Sequence, residues 1–255
     1  MVERLMLKIN SIYNEDCMNG IKKIPTASVD LVIIDPPYQL NFSKRKNKDR
    51  DKLTSATCKI HEELIGVHLT EGYNYNLLDE LVRVMKRINI YIWCNKSQLQ
   101  MYFDYFVKNL ECNFEILVWN KTNPLPTYHN TYLSDKEYCL YFKKKGYCNP
   151  QNYEDARTVF LSSTNIKDKR KYGHPTIKPL DFIRKIIRNS SKENDVILDC
   201  FIGSGTTAVA CIYEKRNYIG FEINKNYYDI AIKRIKETKE GNINKHSKER
   251  SHEFE

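Results

Sequence analysis

No run of apolar residues in this 255-residue chain is long enough to span a bilayer, and the N-terminus lacks a signal-peptide core. The expected location is therefore cytoplasmic, with no membrane partner. The eight cysteines, at 17, 58, 94, 112, 139, 148, 200 and 211, form no C-x-x-C pair and show no zinc-type spacing to histidine. No metal site is expected from them. Several stand in apolar runs, where a free thiol acts as a small hydrophobe. Internal repeats are absent as well.

What the chain does have is positive charge. The formal net charge is +9, which favours an anionic partner such as nucleic acid. Two clusters stand out. The 44–52 segment carries six basic and two acidic residues, among them Lys44, Arg45 and Lys46. The 167–171 segment carries four basic residues and one acid, including Lys169, Arg170 and Lys171. Solvated lysine-rich loops would look the same.

Apolar spacing organises the rest. Strands are expected at 9–13, 29–34, 88–94, 114–119, 137–143, 196–200 and 217–221. Helices are expected near 20–25 and at 76–86, 98–110, 180–190, 205–214 and 225–239. The 39–59 stretch is polar, basic and aperiodic, and reads as a loop. Residues 148–173 also lack a period and read as an insert. The tail from 240 is polar and is expected to fray.

The first chemical signal is Asp35-Pro36-Pro37-Tyr38, at the end of the 29–34 strand. Prolines cannot donate to a sheet ladder, so they end the strand and fix the turn. The Pro36 carbonyl and the Asp35 carboxylate can accept, and the tyrosine adds a flat ring. Acceptors beside a stacking face suit a planar group bearing an amine, such as a nucleobase. An ordinary Pro-Pro turn fits these four residues equally well.

The second signal is Asp199-Cys200-Phe201-Ile202-Gly203-Ser204-Gly205-Thr206-Thr207-Ala208. Strand before, helix after and Gly-x-Gly-x-x-Ala between permit a tight turn and a close ligand approach. Glu222 ends the next strand, where an acid reaches ribose hydroxyls. Together they point to an adenosine-containing cofactor. Only one strand and helix follow this motif, so the remaining strands must come from the N-terminal half. The expected fold is α/β: a doubly wound, mostly parallel, Rossmann-like sheet with a small insert. Asp35 and Gly203 would then both lie at carboxyl ends of strands and face one cleft.

The two motifs together resemble those of the S-adenosylmethionine-dependent DNA amino-methyltransferases. Catalytic motif first and cofactor motif last is the order of that family's β-class. Asn14 to Cys17, Trp119-Asn120-Lys121, Glu137, His174 to Pro179 and Tyr218 to Glu222 fit the resemblance too. It weakens over 39–72 and 148–173, and Lys86-Arg87-Ile88 departs from a turn that is often Pro-Gly in relatives.

The resemblance implies S-adenosylmethionine as cofactor and methyl transfer to adenine N6 of a base flipped out of double-stranded DNA. Asp35, Pro36, Pro37 and Tyr38 would be catalytic. Phe201, Gly203, Ser204, Gly205, Thr206 and Thr207 would hold the methionine portion. Glu222 would hold the ribose, Asp16 and Cys17 would touch the adenine ring, and Thr176 and Lys178 would border the methionine end. Asp199 would bind the cofactor's amino group or fix the turn. The absence of a Pro-Cys nucleophile motif is consistent, since no covalent enzyme intermediate is needed.

On this basis 1–126 is the catalytic half of one domain and 127–172 a target-recognition segment. Residues 173–239 are the cofactor-binding half and 240–255 a polar tail. Cytosine-N4 methylation, a nicotinamide-dependent dehydrogenase and a non-catalytic DNA-binding subunit stay open at this point. So do a homodimer and an accompanying restriction endonuclease.

Overall fold

The computed structural model describes residues 7–37, 76–124, 132–164, 171–172 and 177–252. Tyr38, Lys44, Arg45, Lys46, Lys169, Arg170, His174 and Thr176 lie outside them, as does the whole 39–59 stretch.

Eight strands form one sheet: β1 (Ser11–Tyr13), β2 (Leu31–Ile34), β3 (Ile88–Cys94), β4 (Asn113–Lys121), β5 (Lys136–Lys144), β6 (Val159–Ser162), β7 (Val196–Asp199) and β8 (Asn217–Phe221). Their order is β1-β8-β7-β2-β3-β5-β4-β6. Only β5 runs against its neighbours; the other pairings are parallel. The mostly parallel α/β sheet expected from the sequence is the observed one.

The strands explain the two-layered core. Side chains alternate across a pleated sheet, so Val32 and Ile34 enter one cluster and Leu31 and Ile33 the other. β3 divides likewise, with Ile90, Ile92 and Cys94 on one face and Tyr91 and Trp93 on the other. All four β2 residues are buried, as a strand covered on both faces requires. Each such side chain contributes about 1.5–3 kcal/mol of burial.

The helices α1 (Cys17–Ile21) and α2 (Asn76–Val84) cover the first face, followed by a helix starting at α3 (Leu99–Tyr102). The second face is covered by α5 (Leu180–Ser190), α6 (Thr206–Tyr213) and the front of α7 (Lys225–His252). The short α4 (Tyr153–Ala156) precedes β6.

Three expectations need adjustment. The 98–110 helix is irregular, since α3 continues as a π-helical stretch over Phe103–Asn109. There Phe106 stacks on Phe142 at 4.6 Å and Phe103 meets Phe114 edge-on, so ring packing on the sheet overrides regular winding. Second, the aperiodic 148–173 stretch supplies β6, which pairs with β4 at the sheet edge. Four residues alternating between exposed and half-buried give too short a pattern to read as a strand. Third, helix α7 continues past 239 to His252, although Ile235 is its last buried apolar residue among the described side chains.

At the amino ends of the strands, Lys86 makes an ion pair. Its Nζ lies 2.8 Å from Asp30, whose other oxygen accepts from the Val196 N–H at 3.0 Å. This ties β2, β3 and β7 together at the ends opposite the site. Among the described residues no helix is long and apolar enough to cross a membrane.

Candidate active site

The sheet order settles how two motifs 160 residues apart meet. β7 lies between β8 and β2, with Leu31 opposite Ile197 and Val32 opposite Leu198. Asp35 and Asp199 therefore emerge at carboxyl ends of adjacent parallel strands, where such folds bind ligands.

On the β7 side, a glycine turn is held by carboxylates. Asp199 is buried and accepts from the Phe201 N–H at 3.0 Å and from the Thr207 hydroxyl at 2.6 Å. Burial, with Asp35 and Glu222 nearby, pushes its carboxyl up to about 7 despite those donors. Glu222, at the end of β8, accepts from the Gly203 N–H at 2.9 Å and the Asn224 N–H at 2.8 Å. Burial raises its pKa too.

Gly203 and Gly205 both have positive φ, 51° and 82°. At Gly205 a side chain would also sit 2.9 Å from the Ala231 methyl, so both conformation and space require glycine. Behind the turn, the buried Arg234 guanidinium from α7 donates to the Ser204 carbonyl at 2.7 Å, the Ser204 hydroxyl at 2.8 Å and the Thr206 hydroxyl at 3.1 Å. Those two hydroxyls thus face the protein's own scaffold. Asp16 caps α1, accepting from the Met18 N–H at 2.9 Å and the Asn19 N–H at 3.3 Å, the expected work of an N-cap. Cys17 beside it is buried, and burial with the Asp16 charge lifts its thiol to about 12.

The β2 side is built differently. The Lys178 ammonium lies 2.8 Å from Asp35 and 3.0 Å from Glu137, and Glu137 lies 2.7 Å from Lys121. Lys178 is nearly buried, with Nζ 4.9 Å from the centre of the Trp93 ring. Burial disfavours its charge, but Asp35 and Glu137 outweigh that and hold it above the ordinary lysine range. Glu137 likewise is driven down to about 2, burial being overcome by Lys178 and Lys121.

Beside this chain a cavity of about 700 Å³ opens over the ends of β3 and β5, within the range of ligand pockets. Its lining includes Cys94, Asn95, Lys96, Lys121, Tyr132, Lys136 and Glu137, and Tyr132 is almost fully exposed. Elsewhere Lys171 pairs with Glu237 at 2.9 Å and lies over the Tyr172 ring.

Asp16, Cys17, Asp199, Phe201 to Thr207 and Glu222 are thus gathered around the ends of β1, β7 and β8. Lys178 joins Asp35 through an ion pair. Sequence reasoning placed Glu137 and Lys121 within the resemblance without assigning either a role, and singled out neither Trp93 nor Arg234. The signal for the first was available as a lone acid entering an apolar strand; Arg234 lies in a helix rich in lysine and arginine and carried none. The acceptor-rich β7 and β8 ends suit a cofactor with ribose hydroxyls, an ammonium and a sulfonium.

A family described as DNA methylase matches residues 29–233. The chain is 32% identical over 260 residues to Type II methyltransferase M.HinfI of Haemophilus influenzae, covering 94% of this chain and 72% of that protein. It is 27% identical to Type II methyltransferase M1.MboII of Moraxella bovis, covering 89% and 96%. The crystal structure of the M1.HpyAVI–SAM complex superposes with a TM-score of 0.63 at 28% identity, over 88% of this chain and 98% of that one. The cytosine-N4-specific PvuII DNA methyltransferase shares the fold, with a TM-score of 0.66 at 16% identity, over 90% and 87%. With both halves of its cleft and most of its length matched, the chain belongs to the DNA methylase family, the S-adenosylmethionine-dependent DNA amino-methyltransferases.

Proposed function

We propose that the protein methylates adenine N6 in double-stranded DNA, acting on a base flipped into the cleft at the end of β2. The observation that carries this reading is the Asp35 carboxylate, held 2.8 Å from a buried ammonium between the glycine turn and the 700 Å³ cavity. An anionic acceptor there can take a hydrogen bond from an exocyclic amine. Adenine N6 is a poor nucleophile because its lone pair is delocalised into the ring. Acceptance by Asp35 and the Pro36 carbonyl favours a pyramidal nitrogen with the lone pair toward the methyl. Tyr38 would stack on the base, and Pro37 would fix the turn.

S-adenosylmethionine supplies a methyl on a sulfonium: the S–C bond breaks with its electrons passing to sulfur, the amine lone pair forms the N–C bond, and one amine proton is released. The chain's own contribution is position. In our assignment Glu222 receives the ribose hydroxyls, Asp16 and Cys17 border the adenine ring, and the 201–207 turn with Asp199 receives the methionine end. Thr176 would border that end too. Lys44, Arg45, Lys46, Lys169, Arg170 and Lys171 would meet phosphate, together with Lys96, Lys121 and Lys136 around the cavity. Target recognition would reside in 127–172 outside β5 and β6.

Labelled S-adenosylmethionine, the protein and mixed-sequence duplex DNA, followed by nucleoside mass spectrometry, test this. The expected product is N6-methyldeoxyadenosine. N4-methyldeoxycytidine would transfer the reading to the other base. No methylated nucleoside would overturn it.

A further inference from the structure

Asp35, Lys178, Glu137 and Lys121 form one line of alternating charge across the top of the sheet. Asp35 follows β2, Glu137 is in β5 and Lys121 ends β4. β3 separates β2 from β5, so a direct link must pass over it. Adjacent strands are about 4.8 Å apart, leaving roughly 10 Å between β2 and β5. Lys178 spans that gap, entering from the segment just before α5, and Trp93 of β3 forms the floor beneath its ammonium.

A lysine buried to 9% exposure needs compensation. Asp35 alone could supply one unit of charge. Glu137 supplies a second, and Lys121 balances that. The pair on the far side thus does something neutralisation of Lys178 does not require: it fixes the ammonium from two directions.

We infer that Lys178, anchored by Glu137, is a positioning residue that sets the orientation and keeps the negative charge of Asp35 for the incoming amine. This rests on the proposed role of Asp35 as amine acceptor. Lys178 takes Asp35 Oδ2, which restrains rotation of the carboxylate. Its cation opposes the effect of Asp199 on the adjacent strand, which acts to disfavour a second negative charge. Among the described residues, the other ionisable groups that interact with this carboxylate are Cys94 from β3 and Cys139 from β5. The thiols are held neutral by burial, Cys94 up to about 12 and Cys139 well above its ordinary value. The assignment differs from a contact to the methionine end of the cofactor in what it makes Lys178 do.

The test is single-turnover methylation across pH 5–9 with wild type, Lys178→Met, Lys178→Arg and Glu137→Gln, alongside cofactor binding and melting curves. Lys178→Met should lower the transfer rate by about a hundredfold at pH 7 and move the acid limb of the profile up by about one unit or more, because Asp35 loses its cation. Lys178→Arg should restore the limb, and Glu137→Gln should lower the rate by about tenfold with cofactor affinity kept within about threefold. An acid limb unmoved in Lys178→Met, with wild-type DNA methylation intact, would overturn the inference and leave the proposed function standing. So would a loss confined to cofactor affinity, which would return Lys178 to the methionine end. A wild type that methylates no DNA base would instead overturn the reading beneath it. Glu137→Gln keeps volume and shape, so its rate and binding remain informative if Lys178→Met folds poorly.

Discussion

The sheet carries two acidic clusters along the edge where β2 and β7 end, and they solve burial in opposite ways. At β2, Asp35 and Glu137 face ammonium groups, and Glu137 is held down to about 2. At β7, Asp199 has an N–H and a hydroxyl as donors and no cation partner among the described residues, and it rises to about 7. Two short hydrogen bonds do not offset full burial of a carboxylate beside other acids, whereas a full opposite charge does. The β2 end is thus compensated before any ligand arrives. The β7 end has unbalanced negative character, which a sulfonium and an ammonium would neutralise.

Changes to either end sharpen that contrast. The largest effect should come from Asp35→Ala, which should reduce methyl transfer by at least about a thousandfold while cofactor affinity, measured by calorimetry, stays near wild type. Wild-type turnover in this variant would remove Asp35 from the chemistry.

Next is pH. Because Asp199 is raised from 3.8 to about 7, the folded state binds more protons than the unfolded state in that window. Stability therefore falls as pH rises through it, by roughly 4 kcal/mol at most. Asp199→Asn should abolish this, so its melting temperature should gain on wild type between pH 4 and 8. Glu137 has the opposite sign: depressed from 4.5 to about 2, it stabilises above 4.5 and that contribution is lost as pH falls through this range. Glu137→Gln should thus narrow the gap to wild type on acidification. Parallel melting curves for the two variants would contradict the comparison.

Gly205→Val should cost about 1–3 kcal/mol, from positive φ and the Ala231 contact, and weaken cofactor binding. Arg234→Ala should cost about 2 kcal/mol through the bonds it makes behind the turn. Both are read from chemical denaturation, and an equal loss of stability in an Arg234→Lys variant would show that an ammonium cannot take the place of the guanidinium. The smallest effect should be Lys171→Ala at the exposed Glu237 pair: no measurable change in melting, and a salt slope for DNA binding reduced by about one if it meets phosphate.

Much of this architecture was legible. Strands such as β3, expected and found at 88–94, announce themselves because both faces are buried and the run is apolar. Asp35 and the 199–208 turn were legible because proline and glycine restrict backbone in ways few other contexts require. β6 and the π-helical 103–109 stretch were not, since ring packing and edge pairing decide them and leave no period. Lys178 was noticed, yet its partner Glu137 lies 41 positions away on an antiparallel strand, and no local pattern encodes that distance.

The sequence by itself determined the sheet-forming segments, the strand-ending acids and the glycine turn, because these follow from local sterics and side-chain periodicity. Only the tertiary structure decided which charges face one another. Coulomb energy depends on separation in space and on the depth of burial, and strand order sets both: with β7 beside β2 and β3 beneath Lys178, four ionisable side chains from distant segments become one charged row.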